Sequence, residues 1–166
     1  MPKTIDSIII HCSDSDWGTA REIRKWHTDA PPNGRGWTDI GYQFVIMNGR
    51  PTPRQELAAL DGSIECGRYL DEDNIIEPNE LGIHALGYND RSIGICLVGR
   101  SFEGKKSFTI RQFDSLKEML FELVKLHNIP VKNVLGHCET ESGKSQGKTC
   151  PDFDVEDFRT WLKGRV

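Results

Sequence analysis

No apolar run in this sequence approaches the ~18 residues that a membrane span requires, so a transmembrane helix is not expected. Positive charge is not in excess: 21 Lys and Arg face 25 Asp and Glu, for a net charge of −4. A basic nucleic-acid footprint is therefore excluded. The N-terminus lacks the basic-then-apolar layout of a secretory leader, so synthesis in the cytosol is expected. Five cysteines, an odd number without such a leader, argue against a disulfide framework and for thiols or metal ligands. There is no repeat, low-complexity tract or linker. At 166 residues with 37% hydrophobic content, the chain is expected to be one domain, residues 1–166, with a core of its own.

Local patterns supply the elements. Ile5 to His11 is apolar and β-branched and reads as a buried strand. Thr19-x-x-Glu22 is a capping-box pattern opening a helix with Ala20, Ile23 and Trp26 or His27 at helical spacing. Tyr42 to Met47 and Ile93 to Val98 read as strands, each closed by glycine. Thr109 to His127 is the strongest helix, with a capping box to Gln112 and a stripe of Phe113, Leu116, Leu120, Leu123 and Val124, stopped by Pro130. A short strand from Val134 to His137, a polar loop and a last helix from about Asp154 follow. Strands interleaved with helices imply an α/β fold, a central mixed β-sheet flanked by α-helices.

Two motifs mislead. Gly143 to Thr149 resembles a phosphate-binding loop but has three residues between its glycines where four are required, and Pro151 interrupts the helix that should follow. The acidic segment 69–83 lacks the glycine that a calcium loop starting at Asp71 needs at Ile76, and reads as a solvated loop.

Histidine and cysteine placement is more informative. His11 and His137 each end a strand, where α/β scaffolds commonly carry site residues. Cys12 and Cys138 follow them directly and, on a strand, point to the opposite face, so both are expected in the core, with Cys66 and Cys96. Cys150 lies among polar residues after Lys148 and Thr149. With His11 and His137 it would offer two imidazoles and one thiolate, leaving the fourth position of a tetrahedral zinc ion open. His27, His127, Trp26 and Trp161 ride on helices and are expected to be structural.

Several motifs in fixed order carry a family resemblance. They are His11-Cys12-Ser13, Arg21-Glu22-Ile23-Arg24-Lys25-Trp26-His27, Gly36-Trp37-Thr38-Asp39-Ile40-Gly41-Tyr42, His84-Ala85-Leu86-Gly87-Tyr88-Asn89, Ser92 to Gly99, Gly136-His137 and Lys148-Thr149-Cys150-Pro151. The chain resembles the zinc-dependent N-acetylmuramoyl-L-alanine amidases of the phage-lysozyme and peptidoglycan-recognition type. The resemblance implies their fold, with a substrate groove across one side. It also implies zinc held by His11, His137 and Cys150, catalytic side chains at Tyr42 and Lys148, and groove-lining His84 and Asn89. Zinc would acidify water and polarise the scissile amide between N-acetylmuramic acid and L-alanine. Trp37, Tyr88 and Trp17 are candidates for stacking on the substrate.

The segments 49–82 and 138–147 are longer than in compact phage members and are expected to border the groove. Two other functions compete: a non-catalytic peptidoglycan-binding module, which typically lacks the cysteine ligand, and a cysteine peptidase. Without a leader, a phage or prophage endolysin released by lysis and a cytosolic enzyme recycling wall fragments both fit. Peptidoglycan or a muropeptide is the expected partner, with no nucleic acid and no membrane, and the chain is expected to be a monomer.

Overall fold

Ser7, Ile8, Ile9 and Ile10 settle into a strand in which every residue is buried, and the rest of the fold is laid against its two faces. The computed structural model describes residues 3–166. In chain order they form β1 (Lys3–Thr4), β2 (Ser7–Cys12), α1 (Ala20–Thr28), β3 (Phe44–Asn48), β4 (Asp61–Cys66), β5 (Ile75–Ile76), β6 (Ser92–Leu97), β7 (Ser101–Phe102), β8 (Lys105–Lys106), α2 (Ile110–Leu126), β9 (Val134–Gly136), α3 (Glu141–Ser145) and α4 (Glu156–Lys163). The central sheet has the order β4-β3-β6-β2-β9. β3, β6, β2 and β9 run parallel, and β4 is antiparallel to β3. This is the mixed sheet with flanking helices that the sequence implied.

Period-two alternation divides the sheet. Ile8, Ile10, Ile46, Ile93, Ile95 and Leu97 pack with Leu116, Leu120, Leu123 and Val124 of α2 and with Phe158 and Leu162 of α4. Val45, Met47, Cys96 and Val98 pack on the other face with Ala20 and Ile23 of α1. His11 is in register with Cys96 and so stands on the α1 face. The site forms there, at the C-terminal ends of the parallel strands.

Helix α2 starts where the sequence predicts. The Thr109 hydroxyl accepts from Gln112 N–H, and the Gln112 side chain accepts from Thr109 N–H. Gln112 is fully buried, and its amide donates to the Ile46 and Val98 carbonyls, each at 2.9 Å. Gln112→Leu leaves the Val98 carbonyl without this donor, and we expect it to lower unfolding free energy by about 1–3 kcal/mol, measured by urea titration.

The structure departs from the sequence reading at several elements. Tyr42 and Gln43 precede β3 instead of starting it. Their carbonyls accept from Arg68 and Gly67 just past the end of β4, and Gly67 passes too close to Tyr42 O to carry a Cβ. Strand β4 was not expected. Cys66 at its end is exposed, which corrects its assignment to the core. The 138–147 segment is not a plain loop: it holds a 3-10 turn at His137–Glu139 and then α3, capped by Thr140, whose hydroxyl accepts from Gly143 N–H at 2.9 Å. In the acidic segment, Glu80 is fully buried, and its carboxylate accepts from Asp71 N–H and Glu77 N–H.

Candidate metal centre and cavity

β2 and β9 are adjacent and parallel, so their C-terminal ends place His11 and His137 side by side, with ring centroids 4.7 Å apart. Cys150 is brought to them by the return of the chain after α3. Cys138 N–H donates to Cys150 O at 2.8 Å, and Cys12 N–H donates to Cys150 Sγ at 3.3 Å. His11 Nδ1 lies 3.8 Å from that sulfur. One ligand atom from each of His11, His137 and Cys150 falls within 4.8 Å of the others, and these three form the one such group among the described residues.

The donor set fits a borderline-soft divalent ion such as Zn2+, which binds imidazole nitrogen and thiolate sulfur. Burial, then the nearby His84 and His137, hold His11 well below the usual imidazole range. Burial and Lys148 lower His137. Both rings are therefore neutral, as ligands must be. Hydrogen bonding with the Cys12 thiol and burial push the Cys150 thiol up, so its thiolate needs a cation beside it to persist in this environment.

The group opens into a cavity of about 550 Å³. Its walls include Tyr42, His84, Asn89, Trp37 and Lys148, so the sequence-predicted site residues share one space. Tyr42 sits with its ring 5.1 Å from His11. Burial, then the surrounding Cys96, Cys150 and Cys12, push its phenol well above the ordinary value, leaving a protonated donor. Lys148 is exposed at the rim, held by its N–H to Gly143 O at 2.9 Å. His84 Nδ1 lies 3.1 Å from His11 Nε2. Asn89 Oδ1 accepts from both His84 N–H and Ala85 N–H at 2.9 Å, so it fixes the loop that carries His84.

His27 and Arg35 are cavity residues that sequence reasoning did not assign to the site. His27 is buried on α1, as expected of a structural histidine, yet it lines the cavity. Its Nδ1 accepts from Gly41 N–H at 3.1 Å, which places its ring proton on Nε2. Burial, then Arg35, lower its pKa to about 4, so it is a neutral donor. Arg35 stacks its guanidinium over Trp37 at 5.1 Å, also on the cavity wall. Helical spacing marked His27 only as buried, and Arg35 lies beyond α1, so neither was assigned to the cavity.

Other expectations are corrected. Trp17 packs edge-on against Trp26, and Tyr88 lies under the Arg91 guanidinium; neither lines the cavity. No residue of 49–82 lines it, and of 138–147 only Gln146 does. Cys12 is more than a core filler, since its backbone holds the Cys150 sulfur. Cys138 is half-buried on the 3-10 turn, where strand alternation does not apply. That turn is tightly fitted: a Cβ on Gly143 would run into the His137 carbonyl and come within 3.0 Å of Thr140 Oγ1. Gly143→Ala is therefore expected to cost about 1–3 kcal/mol of stability, read by thermal or urea unfolding, and to displace His137.

Fold and site together define a mixed α/β protein with a candidate metal centre at the open end of its parallel strands. The chain belongs to the N-acetylmuramoyl-L-alanine amidase family, whose model matches residues 1–153. It is 33% identical over 170 residues to the endolysin of Escherichia phage T7, covering 99% of this chain and 90% of that protein. It is 32% identical to the endolysin of Enterobacteria phage T3, covering 98% and 89%. Among solved structures, the N-acetylmuramoyl-L-alanine amidase LysC from Clostridium intestinale superposes with a TM-score of 0.69 at 24% identity, covering 98% and 90%, a likeness of fold. Drosophila PGRP-LB superposes at 0.60 with 26% identity, covering 91% and 79%.

Proposed function

We propose that the chain is a zinc-dependent peptidoglycan amidase acting as a phage-type endolysin. In this reading residues 1–166 form one amidase domain, and the chain works as a monomer on peptidoglycan or muropeptides. The observation that carries it is the convergence of His11, His137 and Cys150 within 4.8 Å on a cavity that also holds Tyr42 and Lys148. These three residues would hold Zn2+. The ion would supply a Lewis acid that acidifies water and polarises the scissile carbonyl.

The chain's own groups account for the remaining steps. Trp37, His84 and Asn89 line the groove that receives the lactyl-alanine segment. The His27 Nε2–H, with its tautomer fixed by Gly41, donates to a substrate oxygen. The Tyr42 phenol, kept protonated by burial, donates a hydrogen bond to the reacting oxygen. The Lys148 ammonium faces the negative charge that grows on the carbonyl oxygen as the amide carbon becomes tetrahedral. One water supplies the balance: its oxygen bonds to the amide carbon, the C–N bond breaks with a water proton passing to the leaving nitrogen, and the products are the lactyl carboxylate and the α-amine of L-alanine. Among the described residues no helix is long and apolar enough to cross a membrane. The endolysin kinship supports access to the wall through lysis over a recycling role.

The test is product identification. Purified sacculi incubated with the enzyme should release stem peptides with free N-terminal L-alanine, identified by mass. Tight sacculus binding with no release would instead favour a recognition module, and release of glycan fragments alone would overturn the assignment.

A further inference from the structure

His84 stands behind His11 in a seat that only glycine backbones permit. A Cβ on Gly94 of β6 would lie 2.7 Å from His84 Cδ2, and one on Gly82 would lie 2.6 Å from the same atom. Gly94 is in register with Ile9, two residues before His11 on the same face, so the ring lies on bare sheet beside the ligand. From the other side, Asn89 Oδ1 clamps His84 N–H and Ala85 N–H. The seated ring meets His11 edge-on, centroids 5.1 Å apart, with Nδ1 3.1 Å from His11 Nε2. Its own Nε2 is shut off from solvent.

The two nitrogens of His11 thus face different neighbours. Nδ1 faces the Cys150 sulfur at 3.8 Å, and Nε2 faces His84. A neutral imidazole that ligates through Nδ1 must carry its proton on Nε2. That proton needs an acceptor, and His84 Nδ1 is the atom in place. We propose that His84 is a positioning residue for the metal centre: its Nδ1 accepts the His11 Nε2–H, fixing the tautomer and ring orientation that aim His11 Nδ1 at the ion. Histidine ligands commonly depend on such an outer partner, usually a carboxylate, carbonyl or water, and its loss typically costs about 10–100-fold in metal affinity or activity. Here a second imidazole takes that place. Asn89 acts one step further out, by holding the backbone that presents His84.

The inference rests on the metal centre proposed above, and its test separates the two. Zinc affinity is measured by competition with a chromogenic chelator for the wild type, His84→Phe and His84→Asn. Phenylalanine fills the seat without an acceptor, whereas the asparagine oxygen can occupy the place of Nδ1. His84→Phe should bind zinc about 10–100-fold more weakly, and His84→Asn should recover most of that loss. A purely structural role would penalise both alike. Long-range ¹H–¹⁵N spectra of the zinc-loaded wild type provide a readout that needs no variant: His11 and His84 should each be protonated at Nε2. Wild-type zinc affinity in His84→Phe, or a proton on His84 Nδ1, would overturn the inference and leave the metal centre standing. A wild-type protein that binds no zinc would overturn the metal centre, and this inference with it.

Discussion

Cys150→Ala should release no stem peptide from sacculi above the level of a blank and should lose its stoichiometric zinc, while keeping the wild-type far-UV circular dichroism. The expected loss is large because Cys150 is the one anionic donor beside two neutral imidazoles. Without its thiolate the remaining pair cannot offset the charge of a divalent ion in a half-buried site. The fold should survive. Cys150 lies on a segment tied to the 3-10 turn after β9 through Cys138 N–H and Cys150 O, a backbone contact that alanine retains. Activity with zinc lost from the variant would fit a reaction that does not depend on this centre, so zinc content and peptide release must be measured on the same sample.

Lys148→Ala should lower turnover by about 10²-fold, a magnitude typical of removing one group that stabilises a developing oxyanion. Zinc content should remain at wild-type level, because Lys148 stands two residues from Cys150 and its side chain is exposed at the rim. The signature is a fall in kcat with zinc retained. Unchanged turnover would remove Lys148 from the mechanism and leave the solvated surface charge that its exposure alone would suggest. A loss of zinc together with activity would instead make the Lys148 side chain a support of the metal centre.

The sequence disclosed the fold unevenly. Helix α2 was readable almost to the residue because its capping box and apolar stripe are both local signals, and both are realised. β4 was not readable: Ile64 is its only large apolar residue, and even that side chain is 44% exposed at the sheet edge. Pairing with β3 creates that strand, and pairing is a long-range fact. The same limit applies to the site. His11 could be placed at a strand end by spacing, but its union with His137 and Cys150 comes from β2 lying beside β9 and from the return after α3. Strand-end placement and the polar setting of Cys150 raised that set, and the family resemblance singled it out. His27 shows the converse error. Helical spacing correctly buried it, and burial was taken for packing, while the end of α1 in fact delivers its ring to the cavity.

The central claim is that a metal held by His11, His137 and Cys150 is required to cut the amide. The most direct test is one sacculus digest run on untreated enzyme, on chelated enzyme and on chelated enzyme restored with one equivalent of zinc, with products read by mass. Stem peptides beginning with L-alanine should appear in the first, vanish in the second and return in the third. Release that persists after complete metal removal would contradict the account.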